Sequence, residues 1–528
     1  MMRTIAAAVH GRWRGLRGVA GRALGVLAGL GLALAAAADT VSESVLYAFS
    51  GPDGSGPNAP LILGSDGNFY GTTPRGGAYG DGTVFRLSPQ GALTVLHAFK
   101  GGADGTLPQG GVIQAGDGAF YGTTLGGGAG SYGTVFRVDG AGNYSVLASF
   151  AAGQGNYPYA GLVAGGDGNF YGVTYEGGSY NLGTVFRVTP AGVISTLHAF
   201  AGLPDGANPV APLALGPGGM LYGSTLNQGA GSQAFGTLFR IGIGGGALTT
   251  LVSFQNTPGA SGNGGSVRAG LVLGSDGNFY GTTSVLGGPN SAGTVFRLTP
   301  AGALTTLHAF DGHVEGGIPY GGLIQGGDGS LFGVNTSGGG SPDELGTVFR
   351  LTPQNALLSL HLFGGGADGV MPEASLVRGG DGALYGTTTL GGGANLGIVF
   401  RLTDALPVLG FASAGETMAA NSSGELEAKI SVQLSAPSLQ PVTVSFGKGG
   451  SEAAARYTVT PASPLVIPAG ATSATLDVLI SSPALVQCDS SIVLSLGTPD
   501  YATLGAITVN TVAVPHNFLG ALFCPRKN

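Results

Sequence analysis

The chain has 528 residues, 104 of them glycine, with only 9% charged side chains and a net charge of −7. With so few cations and no basic face, nucleic acid is excluded as a partner. Glycine at this level would signal disorder if it lacked a period, but here it recurs at fixed places between β-branched and aromatic runs and so reads as turns.

The first 38 residues read as a leader outside the fold. Arg3, Arg12, Arg14, Arg17 and Arg22 form a basic start, and Ala23 to Ala38 are almost wholly apolar with small residues before Asp39, which fits an Ala-x-Ala cleavage site. The apolar run is shorter than a usual membrane span, and no Cys follows it to carry a lipid. The expectation is an exported mature chain, secreted or on the cell surface, with no membrane span and monomeric.

Next comes an isolated strand-like phrase, Val45-Leu46-Tyr47-Ala48-Phe49, and then seven copies of one sentence. In full it is Gly-Leu-(Val/Ile)-x-Gly-x-Asp-Gly-Asn-Phe-Tyr-Gly-Thr-Thr, a Gly-rich stretch, Gly-Thr-Val-Phe-Arg-Leu-Thr-Pro, and Leu-Thr-x-Leu-His-Ala-Phe. The arginines fall at Arg86, Arg137, Arg187, Arg240, Arg297, Arg350 and Arg401, 50 to 57 residues apart, which is the range of propeller blades. In the fifth copy four strands are predicted: Ala269–Leu273, Asn278–Thr282, Gly293–Thr299 and Leu304–Phe310. Asp276-Gly277 and Thr299-Pro300-Ala301-Gly302 supply turn chemistry between them. The closing phrase ends at Phe99, Phe150, Phe200, Phe254, Phe310 and Phe363 but is missing after Arg401. The orphan at Val45–Phe49 supplies what the last copy lacks. The predicted fold of 39–404 is therefore a seven-bladed β-propeller closed by an N-terminal strand. A solenoid shares the period but leaves both the orphan and the gap unexplained.

Beyond Leu402 the glycine content falls and alternating runs appear: Glu425–Leu434, Val442–Phe446, Leu465–Ile467, Ala474–Ile480, Ser491–Leu496 and Ala506–Val514. These predict a β-sandwich over 405–514, followed by a tail at 515–528. Cys488 and Cys524 are candidates for a disulfide in an oxidising compartment, with two free thiols as the alternative.

Two resemblances follow. Asp-Gly-Asn-Phe-Tyr-Gly-Thr-Thr paired with Gly-Thr-Val-Phe-Arg-Leu-Thr-Pro, over about 44–402, resembles the GloVer tandem repeat of exported bacterial "choice-of-anchor" proteins. That implies a secreted or surface role and no known chemistry; the apolar anchor helix of that family is not seen in 515–528. The phrases Val432-Gln433-Leu434-Ser435-Ala436-Pro437, Ile467-Pro468-Ala469-Gly470-Ala471-Thr472-Ser473 and Ala502-Thr503-Leu504-Gly505 resemble the Calx-beta family. Some members of that family bind calcium, but Glu416, Glu425, Glu427, Glu452, Asp477, Asp489 and Asp500 lack the spacing of a calcium loop.

No catalytic, cofactor-binding or metal-ligating set emerges. Asp66, Asp117, Asp167, Asp276, Asp328 and Asp381, with Gly218 in the fourth copy, read as turn aspartates. The repeating arginines lie inside apolar runs, so each needs an acceptor, and a carboxylate or carbonyl staple is expected. His97, His198, His308 and His361 share a position with Tyr47, Ala148 and Val252 and read as packing residues; His313 with Glu315 is an isolated pair. Tyr79, Tyr132 and Tyr180 on the Gly-rich loops are either stacking surfaces for a glycan or repeat packing. The longer Asn227–Phe235 and the insertion Gly259–Val267 break the period and are candidate recognition loops. The function this implies is a non-catalytic binding or scaffold protein that presents its loops to a protein or glycan. The alternative is a carbohydrate-active propeller enzyme, glycosidase or lyase, which needs two carboxylates converging from different blades.

Overall fold

The computed structural model describes residues 41–514 apart from 231–233, 256–262, 289, 341–344, 405–407, 424, 436–437, 439–440, 452–453, 469–470, 482–489 and 501. The leader, the C-terminal tail, Cys488 and Cys524 lie outside the described residues. The described chain is all β, and no described helix is long and apolar enough to cross a membrane.

The repeats build four-stranded antiparallel sheets of the propeller-blade kind. The first is Ile62–Leu63, Phe69–Thr73, Thr83–Leu87 and Leu93–Ala98, in that order, and five more sheets repeat it in sequence. The seventh contains Val377–Arg378, Leu384–Thr388 and Ile398–Asp404, and its fourth strand is Val41–Ala48. That strand runs antiparallel to Ile398–Asp404, with Val41 opposite Asp404 and Ala48 opposite Ile398.

The strands form where β-branched and aromatic residues cluster. Both faces of the middle strands are buried, Thr83–Leu87 being enclosed apart from Arg86, because each sheet is packed on two neighbours. The apolar core is accordingly cut into seven clusters, each shared by two consecutive sheets. Tyr70, Val84 and Phe99 of the first sheet pack with Phe120, Phe136 and Val138 of the second. The same partnership runs through the second and third, third and fourth, fourth and fifth, fifth and sixth, and sixth and seventh sheets. The last cluster joins Tyr385, Val399 and Phe49 of the seventh sheet to Leu61, Phe69 and Phe85 of the first. Edge-to-face ring pairs repeat across these joints. Phe99 meets Phe136 at 5.4 Å, and Phe49 meets Phe85 at the same 5.4 Å.

Boundaries shift slightly from those the sequence predicts. In the fifth copy the first strand pairs only at Val272–Leu273, and Ala269–Leu271 lead into it unpaired. The other three strands are Phe279–Thr283, Thr294–Leu298 and Leu304–Ala309.

The C-terminal region forms two sheets over one core. One orders Thr458–Thr460, Ser473–Ile480, Leu426–Leu434, Val408–Phe411 and Thr503–Leu504; the other orders Gly415–Thr417, Val509–Ala513, Ser491–Asp500, Val442–Gly450 and Leu465–Ile467. Burial alternates strictly along Leu426–Leu434, whose inward Leu426, Ile430 and Val432 join Val442, Leu476, Ile492 and Val512. Glu427 and Asp477 of that region both pair with Lys429, at 2.7 and 3.1 Å.

The glycine of the Phe-Tyr-Gly-Thr strand is fixed by packing. A Cβ on Gly172 would stand 2.7 Å from Cζ of Phe186 on the neighbouring strand. Gly172→Ala is expected to cost about 1–3 kcal/mol in urea unfolding, as overpacking in a closed core does. Gly116→Ala, where a Cβ meets nothing within 4 Å, leaves the midpoint unchanged.

Candidate functional site

The narrow end of each repeat starts with a joint that all seven copies share. Gly56, Leu107, Tyr157, Asn208, Ser266, Ile318 and Met371 have φ of 53° to 63°. For a side-chain-bearing residue this left-handed conformation is strained and persists only where the surroundings hold it. What holds it is a backbone bond to the preceding sheet: Leu107 N–H donates to Asp81 O, Tyr157 to Tyr132 O, and Met371 to Leu345 O, at 2.9 to 3.2 Å. Gly56 makes the same bond to Leu396 O of the seventh sheet at 2.8 Å. A proline follows in six copies and Val267 in the fifth.

The next residue, like the left-handed one, changes from copy to copy: Asn58, Gln109, Tyr159, Val210, Arg268, Tyr320 and Glu373. All seven line one cavity of about 270 Å³, floored by the small residues that follow them, such as Gly110, Gly161 and Gly321. Their side chains interact in pairs. Asn58 Nδ2 donates to Gln109 Oε1 at 2.6 Å, the Arg268 guanidinium lies 4.7 Å from the centre of the Tyr320 ring, and Thr389 donates to Glu373 Oε2 at 3.2 Å. Asn58 Oδ1 is buried without a hydrogen-bond partner. Burial pushes the Glu373 carboxyl above its ordinary pKa, against the Thr389 hydrogen bond and the Arg268 charge. Two aromatic faces, two amides, one guanidinium and one carboxylate thus meet where the sheets converge. This is the composition of a polar-ligand pocket.

Sequence reasoning missed this ring and pointed to the Gly-rich loops instead. A consensus deletes a position that varies, and that variation, between a proline present in six copies and a following small residue (Ala or Gly), was the signal available. Tyr79 and Tyr180 are exposed, and Tyr132 packs partly into the core between the second and third sheets. Parts of the candidate loops Asn227–Phe235 and Gly259–Val267 lie outside the described residues.

The turn aspartates bond locally. Asp66 Oδ1 accepts from Asn68 N–H and Oδ2 from the Tyr70 hydroxyl; Asp167 and Asp276 repeat both contacts. The arginines are held in different ways, five of them by a carboxylate or a carbonyl as expected. Arg137, Arg350 and Arg401 pair with Asp117, Asp328 and Asp381 at 3.1, 2.8 and 2.7 Å. Arg86 and Arg240 donate instead to Gly140 O and Pro300 O in the next sheet, whereas Arg187 and Arg297 leave a buried Nε without a partner. The residue two places after the aspartate decides. Asn68, Asn169 and Asn278 occupy the carboxylate with their own amides. Where Ala119, Ser330 or Ala383 stands there, the aspartate reaches its arginine, and in the fourth copy Gly218 leaves none to reach.

The histidines are not simply packing residues. Each binds the acid seven positions later in the loop to the next sheet: His97 with Asp104, His198 with Asp205, His308 with Glu315 and His361 with Asp368, Nε2 to oxygen at 2.8 to 3.0 Å. Tyr47 OH donates to Asp53 at 2.6 Å in the same role. The fixed spacing was present in the sequence but joins two segments that were read separately. His313 N–H donates to Asp311, and Glu315 belongs to His308.

The chain matches the Gloeobacter/Verrucomicrobia repeat over residues 23–166 and 162–400 and belongs to that family. No curated protein matches it. Among solved structures it is similar to the extracellular domain of a proposed one-component system from B. thetaiotaomicron (10% identity, TM-score 0.43, 87% of this chain and 57% of that one). A proposed 6-phosphogluconolactonase from Bacteroides uniformis gives 16% identity and a TM-score of 0.41 over 61% of this chain and 89% of that one. The apo-form Calx CBD1 domain gives 15% identity and a TM-score of 0.18, covering 21% of this chain and 96% of that domain.

Two outcomes follow for the charged pairs. Asp328→Asn leaves the buried Arg350 without its counter-charge and is expected to cost about 3–5 kcal/mol, whereas Asp117→Asn, beside the half-exposed Arg137, leaves the urea midpoint nearly unchanged. Burial disfavours the ionised forms of Asp328 and Asp381, but their hydrogen bonds and arginines outweigh it and hold both below the usual carboxylate range. Their stabilisation is therefore complete above a pH of about 4 and is lost as the pH falls below it, which an acid titration followed by circular dichroism will register.

Proposed function

We propose that this is an exported, non-catalytic binding protein built on a seven-bladed propeller (39–404) that Val41–Ala48 closes, with a Calx-beta-like sandwich (405–514) as spacer or adhesion module. The leader 1–38 directs export. Recognition takes place at the convergent ring rather than on the Gly-rich loops. The observation that carries this reading is that the position from Asn58 to Glu373 differs between repeats whose strands are near-identical, and brings side chains of mixed chemistry to one cavity. Packing alone favours the same residue at equivalent positions, as Phe85, Phe136 and Phe186 do; a ligand of lower symmetry than the ring favours different ones.

The mixture suits a small polar ligand such as a sugar unit, with Tyr159 and Tyr320 offering apolar faces and Asn58, Gln109, Arg268 and Glu373 offering donors and acceptors. A glycosidase needs two carboxylates across the scissile bond, and the ring supplies Glu373 alone, which favours binding over hydrolysis. The test is a glycan array and calorimetry with the chain beginning at Asp39. Saturable binding is expected, weakened at least about tenfold by Tyr320→Ala or Glu373→Gln and unaffected by Tyr79→Ala. Binding that survives both ring substitutions, or turnover of any glycan, overturns the reading.

A further inference from the structure

Outside the ring, one His–acid pair has a third partner. Glu43 of the first strand lies opposite Leu402, as Leu93 lies opposite Leu87, Tyr144 opposite Val138, Ile194 opposite Val188, Leu304 opposite Leu298 and Leu357 opposite Leu351. This position is apolar or aromatic in those copies, and its side chain packs on the cluster shared with the preceding sheet. In the second copy Tyr144 stacks on His97 with ring centres 3.6 Å apart. For the strand Val41–Ala48 the preceding sheet is the sixth, and the pair is His361–Asp368. A carboxylate has been put where the architecture provides an apolar wall.

Glu43, His361 and Asp368 each offer one ligand atom, and these atoms all lie within 4.8 Å of one another; it is the single such group among the described residues. Oε1 of Glu43 is buried and has no hydrogen-bond partner. Both oxygens of Asp368 are already engaged, Oδ1 with Nε2 of His361 and Oδ2 by the Gly364 N–H. Two carboxylates and an imidazole brought this close form a donor set that fits a cation.

We propose that Glu43, His361 and Asp368 bind a divalent transition metal of the Zn²⁺ class, tying the first strand to the sixth sheet. One imidazole nitrogen and two carboxylate oxygens suit a borderline cation with water in its remaining position, whereas Ca²⁺ takes six to eight oxygens. The site does not depend on the convergent ring. Because its ligands come from opposite ends of the repeat array, metal binding adds directly to the strength of the seam.

The test uses the chain beginning at Asp39, stripped with a chelator and titrated with ZnCl₂ by calorimetry and thermal unfolding. One equivalent is expected to bind in the micromolar range or tighter and to raise the unfolding midpoint. Glu43→Leu restores the apolar residue of the other copies and keeps the fold by circular dichroism, but it abolishes that equivalent or weakens it at least about tenfold. His361→Gln acts likewise, while His97→Gln, in a pair with only two ligands, leaves it intact. The proposal is overturned if the wild-type chain binds no Zn²⁺ in that range, or if the Glu43→Leu chain binds and is stabilised like the wild type.

Discussion

The sheet assembly rests on one backbone pairing between segments that lie far apart in the chain. Seven residue pairs register between Val41–Ala48 and Ile398–Asp404, and the Thr403 hydroxyl adds a bond to Ser42 O across a separation of 361 residues. Bringing such distant segments together costs on the order of 5 kcal/mol in chain entropy, which grows only logarithmically with length. The paired backbone offsets it at about 1 kcal/mol per net hydrogen bond, and burial of Phe49 adds about 2 kcal/mol. Without the pairing, Ile398–Asp404 is left as a bare sheet edge and Phe85 of the first sheet loses its edge-to-face partner.

The same seam is fixed a second time at the narrow end, where Gly56 N–H reaches Leu396 O in the way that Leu107 reaches Asp81 and Met371 reaches Leu345. Each joint holds a left-handed residue, strained in the six copies where it is not glycine, and thereby aims the side chain two positions on. Fold and candidate site are therefore coupled: the constant backbone bond makes the variable side chain converge. The Gly-rich loops are joined to these segments by bridges such as Thr106 to Gly126 and Val370 to Leu390, but the residues lining the cavity come from the segments and not from these loops.

What repeats was legible in the sequence, and what does not repeat was hidden by it. The period, the turn dipeptides and the displaced phrase Val45–Phe49 announced four strands per unit and their shared seventh sheet. The ring from Asn58 to Glu373 escaped because alignment to a consensus treats variation as noise. The His–acid pairs escaped because histidine and acid stand on either side of a strand end, and a pattern that exchanges His with Tyr, Ala and Val looks tolerant. In fact the partner changes with it: Tyr47 keeps Asp53, while beside Ala148 the loop carries Gln154, which caps Ala151 N–H instead. The arginines show the same dependence on context, since a single Asn or Ala two places after the aspartate decides whether a salt bridge forms. Glu43 is the sharpest case, an acid whose meaning depends on a histidine more than three hundred residues later.

Amide hydrogen exchange on the chain beginning at Asp39 tests the seam most directly. The Phe49 amide, which donates to Gly397 O as Phe99 donates to Gly82 O, should be protected to the same degree as Phe99 and should lose protection only with global unfolding. Exchange of Phe49 at the rate of a free tail, with the remaining sheets still protected, would contradict the account.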